Sequence, residues 1–404
     1  MSLPPVVATL SRHKLTALLL MLQVGLTCAI VCNVAFMIID RVQQMRQSSG
    51  IAENEVALIE STDLDDNAQP LVRHAADLAA LRAIAGVKSA AAVGALPFNH
   101  HDWSNGIQLT PDGTARTTAS VFSGTPGEAD TLGVHLIAGR DFLPDEYVPE
   151  GSARDWDGLD QVSATIVTRA LAEKLFPGQD PLGKSIYPSD KPVRIVGVID
   201  HLQRPQAHES TDNDYATLLP MLPDGNDVTY VLRSAPQDRE RILKQAAQVL
   251  ERLYGNRILR HAQTFEQLRI DFFHRNRTMI GLLIAAAVGL LIVTALGISG
   301  LSSFWVQQRR RSIGIRRAVG ATQRDILLYF QCENFLIVSI GVLLGCLLAY
   351  ALNTVLMQYY EQSRLPALYL AIGAPVLWLL GQLAVLGPAL RASTVPPVVA
   401  VRAQ

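Results

Sequence analysis

From Leu15 to Ile39 the chain carries no charged residue. That length suits a bilayer-spanning helix, since the hydrocarbon core takes about 20 apolar residues. A cleaved signal peptide fits poorly. The run is longer than a typical signal core, and it continues apolar through Cys32 to Ile39. Three more such runs follow, at Met279 to Val306, Ile326 to Met357 and Tyr369 to Leu390. Charge is ordinary between the first run and the second. Whole-chain values of 49% hydrophobic and 18% charged therefore average over unlike parts. The chain reads as an α-helical membrane protein with four transmembrane helices and a large α+β domain inserted between helices 1 and 2.

A basic segment separates the second and third runs. Arg309 to Asp325 holds six arginines and one acid. Excess basic charge beside a span marks the cytoplasmic side. Four spans then place both termini and this segment inside and the polar middle outside. Arg12, Lys14, Arg391 and Arg402 agree with that orientation. The resulting organisation is a cytoplasmic N-terminus (1–14), helix 1 (15–39), an outer domain with stalk helices at its ends (40–277) and helix 2 (278–306). A cytoplasmic coupling segment (307–325), helix 3 (326–357), an outer loop (358–368), helix 4 (369–390) and a cytoplasmic tail (391–404) complete it. If the basic segment is helical, Ile315 and Val319 share a face while Arg316, Arg317 and Arg324 point elsewhere. Such a helix can be a solvated loop, a lipid-headgroup anchor or a docking element for a cytoplasmic partner.

The middle region alternates short strands and helices. Strands are expected at 55–60, 164–167, 193–199 and 227–232, a small-residue strand or loop at 87–93, and helices at 71–84, 170–175 and 238–253. Asn105 to Leu109 and Thr117 to Phe122 suit a hairpin around Pro111-Asp112-Gly113. Thr264 and Gln267 fit a capping box opening a helix that runs straight into the second span. Asn33 is expected to face another helix, and Trp305 to sit at a membrane interface. Gly281, Gly289, Gly297 and Gly300, with the pair Gly341 and Gly345, permit close helix packing within one subunit or between two.

Catalytic chemistry is not encoded in any familiar form. The chain has no Walker A phosphate loop, no nucleophile elbow and no zinc-binding His-Glu-x-x-His. His100, His101 and Asp102 lie in a polar loop, as do His201 and His208, and solvated loops explain them better than a metal does. Cys28, Cys32, Cys332 and Cys346 all fall in apolar runs, which excludes a disulfide framework in the middle domain and suits small buried hydrophobes. A formal net charge of −1 argues against nucleic acid as a partner. Glu333 is the one acid inside the third run. It reads either as an intramembrane functional residue or as an interfacial partner of an arginine such as Arg324.

Five stretches resemble one family. Arg311-Ser312-Ile313-Gly314-Ile315-Arg316-Arg317-Ala318-Val319-Gly320-Ala321 resembles the R-x-E-I-G-I-R signature of FtsX-type, MacB-like ABC transporter permeases. Gly133 to Phe142 is similar to a motif of their periplasmic core domain. Ala164 to Ile186, with its Leu175-Phe176-Pro177-Gly178, and the strand Val193 to Ile199 match two more stretches. Pro388 to Arg402 is similar to the family's tail. The likeness covers nearly the whole chain.

The resemblance implies a bacterial inner-membrane permease subunit that works by mechanotransmission, with its large domain periplasmic. It implies a dimer with a second copy or a homologous permease. Arg311, Ser312, Ile313, Gly314, Ile315, Arg316, Arg317, Val319 and Gly320 then dock an ABC ATPase, which alone binds ATP and magnesium. This chain is expected to hold no cofactor and catalyse no reaction. Because it starts at the first span, the ATPase is expected on a separate chain. A periplasmic adaptor, an outer-membrane channel and membrane lipid are the other implied partners. The core motifs tilt the expected role to efflux of a drug, peptide or other periplasmic substrate. Lipoprotein release, and ATP-driven control of a periplasmic hydrolase or sensor, are the alternatives. Ser312 stands where the family has Glu. Either ATPase docking is weaker here, or a non-identical second permease supplies the acid. Thr168-Arg169 stands where Asn-Glu is common, which leaves that turn without an implied role.

Overall fold

The charge-free run at the start of the chain lies within one helix, α1 (Lys14–Arg46). Its 33 residues span roughly 50 Å at 1.5 Å each. That exceeds the roughly 30 Å hydrocarbon core, so α1 continues past its apolar run through the polar stretch Asp40 to Arg46. The computed structural model describes residues 14–65, 69–99, 101, 103–111, 113–151, 159–206, 213–360 and 366–394. It forms two compact units, residues 46–275 and residues 1–45 with 276–404.

The first unit holds, in chain order, β1 (Val56–Asp63), α2 (Pro70–Arg82), β2 (Val87–Val93), β3 (Ser104–Ile107), β4 (Thr117–Ser123), α3 (Glu128–Leu132) and β5 (Leu136–Gly139). Then come β6 (Val148–Pro149), β7 (Ala164–Thr168), α4 (Arg169–Leu175), β8 (Ser185–Ile186), β9 (Val193–Ile199), β10 (Ala216–Leu219) and β11 (Met221–Leu222). Last are β12 (Asp227–Ser234), α5 (Arg239–Leu253), β13 (Arg257–Thr264) and α6 (Phe265–Phe272). Two lobes result. One is a four-stranded sheet of order β13-β1-β12-β2 with antiparallel neighbours. It is two split β-α-β units, built on α2 and α5. Ile242, Ala246 and Leu250 of α5 recur at helical spacing and are buried in its core. The second lobe is inserted between β2 and β12. Its sheet runs β3-β4-β10-β7-β9-β5, with β8 beside β9. β3 and β4 pair antiparallel, as the hairpin reading expected, while the turn residue Asp112 lies outside the described residues.

The lobes are stitched where β2 ends. Gly94 donates to the Ser123 carbonyl at 2.8 Å, and Thr125 donates to that of Ala92 at 2.9 Å. Glu128 opens α3 beside this seam. It is buried, and its Oε1 meets no hydrogen-bond partner. Burial, with Asp141 and Glu150 nearby, pushes its pKa up to about 8.

The chain is also fixed where it enters and leaves this unit. Arg269 of α6 pairs with Glu53 and donates to the Gln47 carbonyl at 2.6 Å. Arg239 donates to the Glu53 carbonyl at 3.1 Å and to Glu266 at 2.9 Å. Phe98, wholly buried with a left-handed φ of 67°, packs at tilted and edge-on angles against Phe265, Phe272 and Phe273. Phe273 is held in that cluster, and it breaks the helix. The capping box of Thr264 and Gln267 is present, but α6 stops at Phe272 instead of running straight into the second span. β5, β10 and β13 have no counterpart in the strands read from sequence. β13 is an edge strand, Arg-Ile-Leu-Arg-His-Ala-Gln-Thr, whose mostly exposed face hides the expected alternation.

The second unit contains α1, α7 (His274–Gln308), α8 (Arg310–Ala318), α9 (Gln323–Tyr360) and α10 (Ala367–Ser393). All but α8 are long and apolar enough to cross a membrane. The third apolar helix runs past Met357 to Tyr360, and residues 361–365 of the expected outer loop lie outside the described residues. Small residues set the spacing of α1 and α9. A Cβ on Gly341 would meet Val24 at 2.9 Å, and one on Gly345 would meet the Gly25 carbonyl at 2.6 Å. Close packing at this pair is therefore within one chain. Gly281, Gly289 and Gly300 of α7 face open space. Polar side chains bridge the helices: Thr27 to Thr294 at 2.8 Å, Asn33 to the Ala349 carbonyl at 3.2 Å and Asn334 to the Gly381 carbonyl at 3.0 Å. Trp305 is buried rather than lying at an exposed interface. Cys28 and Cys32 are buried as expected, but Cys332 is exposed.

Two outcomes follow. Gly345→Leu should destabilise the helical unit by at least about 1–3 kcal/mol, read as earlier denaturant unfolding of the full chain in detergent. Glu128 keeps a proton in the fold that the unfolded chain releases. Its contribution to stability therefore falls as pH rises from about 4.5 to about 8 and is flat above. Thermal unfolding of Glu128→Gln at pH 5 and pH 8 should differ less than that of the wild type.

Candidate functional site

The basic segment is a short helix held between two stops. α7 ends at Gln308, and Arg309 leaves helical geometry with φ −98° and ψ 7°. α8 ends in a Schellman turn: Gly320 donates to the Arg317 carbonyl at 3.2 Å and Ala321 to that of Arg316 at 3.0 Å. Gly320 has φ 106°, a conformation that glycine adopts without strain. Two residues on, Thr322 caps α9. Its hydroxyl accepts from the Asp325 amide at 3.2 Å, and Asp325 accepts from the Thr322 amide at 3.0 Å. The segment is thus a helix, a fixed turn and a second helix.

α8 has two faces. Ile313 and Gly314 are buried, Ile313 in the core of the helical unit. Arg316 lies over the Tyr329 ring at 4.9 Å. Arg317 is half-buried. Arg311, Ser312, Ile315 and Val319 are exposed, with Ile315 52% and Val319 84% accessible. Exposed aliphatic side chains amid arginines form an apolar patch with a basic rim.

The buried face is tied down by an ion pair. Arg309 donates to both carboxylate oxygens of Glu333, at 3.0 and 2.8 Å. Glu333 is 2% exposed. The Arg309 guanidinium also lies 5.9 Å from the Trp305 ring. The partner is Arg309, not Arg324. Arg324 and Glu333 are nine positions apart on α9, which places them roughly on opposite faces of one helix. Arg309 and Trp305 were missing from the residues named by motif. Their signal was indirect: a lone acid in an apolar helix needs a cation, and the turn before α9 decides which one arrives.

Among the described residues, the histidines form no centre. His201 contacts the Ser48 carbonyl at 2.6 Å and Asp214 at 3.4 Å. His100, Asp102 and His208 lie outside the described residues. Among the described residues, no group of three His, Cys, Asp or Glu could hold a metal.

Comparison with known proteins finds two family models, the first of which takes in α1. A family model described as MacB-like periplasmic core domain matches residues 16–249, and one described as FtsX-like permease C-terminal matches residues 284–397. The macrolide export ATP-binding/permease protein MacB of Aggregatibacter actinomycetemcomitans is 28% identical over 201 residues, 48% of this chain and 31% of that protein. The chain spans about a third of the length of such MacB relatives. The ABC transporter permease YvrN of Bacillus subtilis (strain 168) is 24% identical over 410 residues, 96% of each chain. Among solved structures, the periplasmic region of MacB from Actinobacillus actinomycetemcomitans aligns with a TM-score of 0.35. It is 14% identical and covers 56% of this chain and 96% of that one.

Removing one partner of a buried ion pair leaves the other uncompensated. Glu333→Ala should cost about 3–5 kcal/mol, whereas the double replacement Arg309→Met with Glu333→Leu should recover most of that. Denaturant unfolding of the full chain in detergent reads both.

Proposed function

Because the chain belongs to the family of ABC transporter permeases with a MacB-like periplasmic core domain and an FtsX-like permease domain, we propose that it couples a separate ATPase to motion of its periplasmic domain. The ATPase binds ATP and magnesium and docks on α8 in the cytoplasm. Its closure displaces α8, and the membrane helices carry that displacement across the inner membrane. The working unit is a dimer of permeases.

One observation carries this reading. Ile315 and Val319 stand uncovered on a helix whose other face is fixed through Ile313 and the Arg309–Glu333 pair. A fixed inner face with an open apolar outer face suits a part that receives a push and passes it on. Support for a separate ATPase comes from YvrN, named as a permease, which this chain matches over 96% of both lengths. Support for efflux comes from relatives named for export of macrolides and of pyoverdine. In that role a periplasmic adaptor and an outer-membrane channel complete the path.

Ile315→Asp with Val319→Asp places charge on the proposed contact and leaves Ile313 and Arg309 intact. Co-purification of the proposed ATPase partner should fall about 30-fold, as expected for two interface anchors of about 1 kcal/mol each. Membrane insertion should be unchanged. Undiminished ATPase recovery would overturn the docking assignment.

A further inference from the structure

A recess of about 180 Å³ opens where α7, α8 and α10 meet. At roughly 30 Å³ per water it has room for several waters, or for one phosphate group. Its lining is Ser303, Val306, Gln307, Arg310, Pro388 and Arg391. Two arginines from different helices therefore face one small volume that, among the described residues, no acid lines. Among the described residues, neither Arg310 nor Arg391 has an acidic partner. Arg309, next to Arg310 in the chain, has Glu333. The fold thus neutralises one arginine of the adjacent pair internally and turns the other into the recess. Gln307 adds an amide donor to the lining.

The rest of the lining is apolar. Val306 and Pro388 form that wall. Phe304 and Leu390, one residue from Ser303 and Arg391, are 51% and 52% exposed. Polar donors at a helix end beside exposed apolar side chains match a molecule with an anionic head and a hydrocarbon body. A free phosphate would use the donors and leave the apolar flank uncovered. From this we infer that the recess binds the phosphate of an anionic phospholipid, with acyl carbon against Val306, Pro388 and the Phe304–Leu390 flank. Arg310 and Arg391 hold the phosphate oxygens by charge-assisted hydrogen bonds. The lipid then joins α8 to α10, a connection that no ion pair supplies among the described residues. The inference rests on the geometry of the helical unit and is independent of ATPase docking.

The test uses the full chain in mild detergent, stripped of lipid by washing. Phosphatidylglycerol and phosphatidylcholine with the same acyl chains are titrated separately, and bound lipid is counted by native mass spectrometry. The wild type should prefer phosphatidylglycerol. Arg310→Gln with Arg391→Gln should weaken that binding about 25-fold, roughly five-fold for each arginine. Each single variant should show about five-fold, which keeps the test decisive if the double variant misfolds. Arg324→Gln, outside the recess, should bind as the wild type does. Equal binding of the two lipids, or unchanged phosphatidylglycerol binding in the arginine variants, would overturn the proposal. Inorganic phosphate protecting the protein from thermal unfolding as well as phosphatidylglycerol does would assign the recess to a soluble anion and overturn it equally.

Discussion

A carboxylate in an apolar helix bundle needs a cation, and Glu333 has Arg309. Much of the helical unit's inner end depends on that pair. Arg309 lies where α7 gives way to α8, so its bond to α9 fixes the junction of three helices. With Arg309 held, Ile313 lies in the core and Ile315 points outward. The Schellman turn at Gly320 and the Thr322 cap then determine where α9 begins. An ion pair this deep is weak evidence for stability, because desolvation offsets most of the attraction. Its better-supported role is register: the pair ties the start of α8 to one position on α9.

A comparable fixation occurs at the other end of the long helices, within the soluble unit. Residues 47–53 follow α1, and α6 precedes α7. Arg269 joins the two stretches, and Phe98 and its aromatic neighbours close over them. These contacts hold the entering and leaving stretches together within that one unit.

Much of this was legible in the sequence, for local reasons. The spans show because charge is excluded over a bilayer's length. The Thr264 capping box shows because helix starts have their own residue chemistry. The first lobe's α5 shows because Ile242, Ala246 and Leu250 recur at helical spacing. The illegible parts are tertiary. Nothing local says that Glu333 meets Arg309 rather than Arg324, since the turn between them decides it. Nothing local says that Phe98 adopts a left-handed backbone or that Phe273 breaks a helix, since both follow from the aromatic cluster. β13 was hidden because an edge strand can be polar on one face and still pair with β1.

The insertion of one lobe into the other also sets an order of assembly. Val56 of β1 pairs opposite Arg233, and Ala57 opposite Thr264. Both neighbours of β1, and the sole neighbour of β2, come after the whole second lobe. The second lobe's main sheet finds all its partners among its own strands. On a growing chain it can therefore close first, while β1 and β2 wait with open edges. The first lobe closes only when β12 and β13 arrive, just before α7 is made. Biogenesis of the soluble unit is thus timed to end as the second apolar helix emerges.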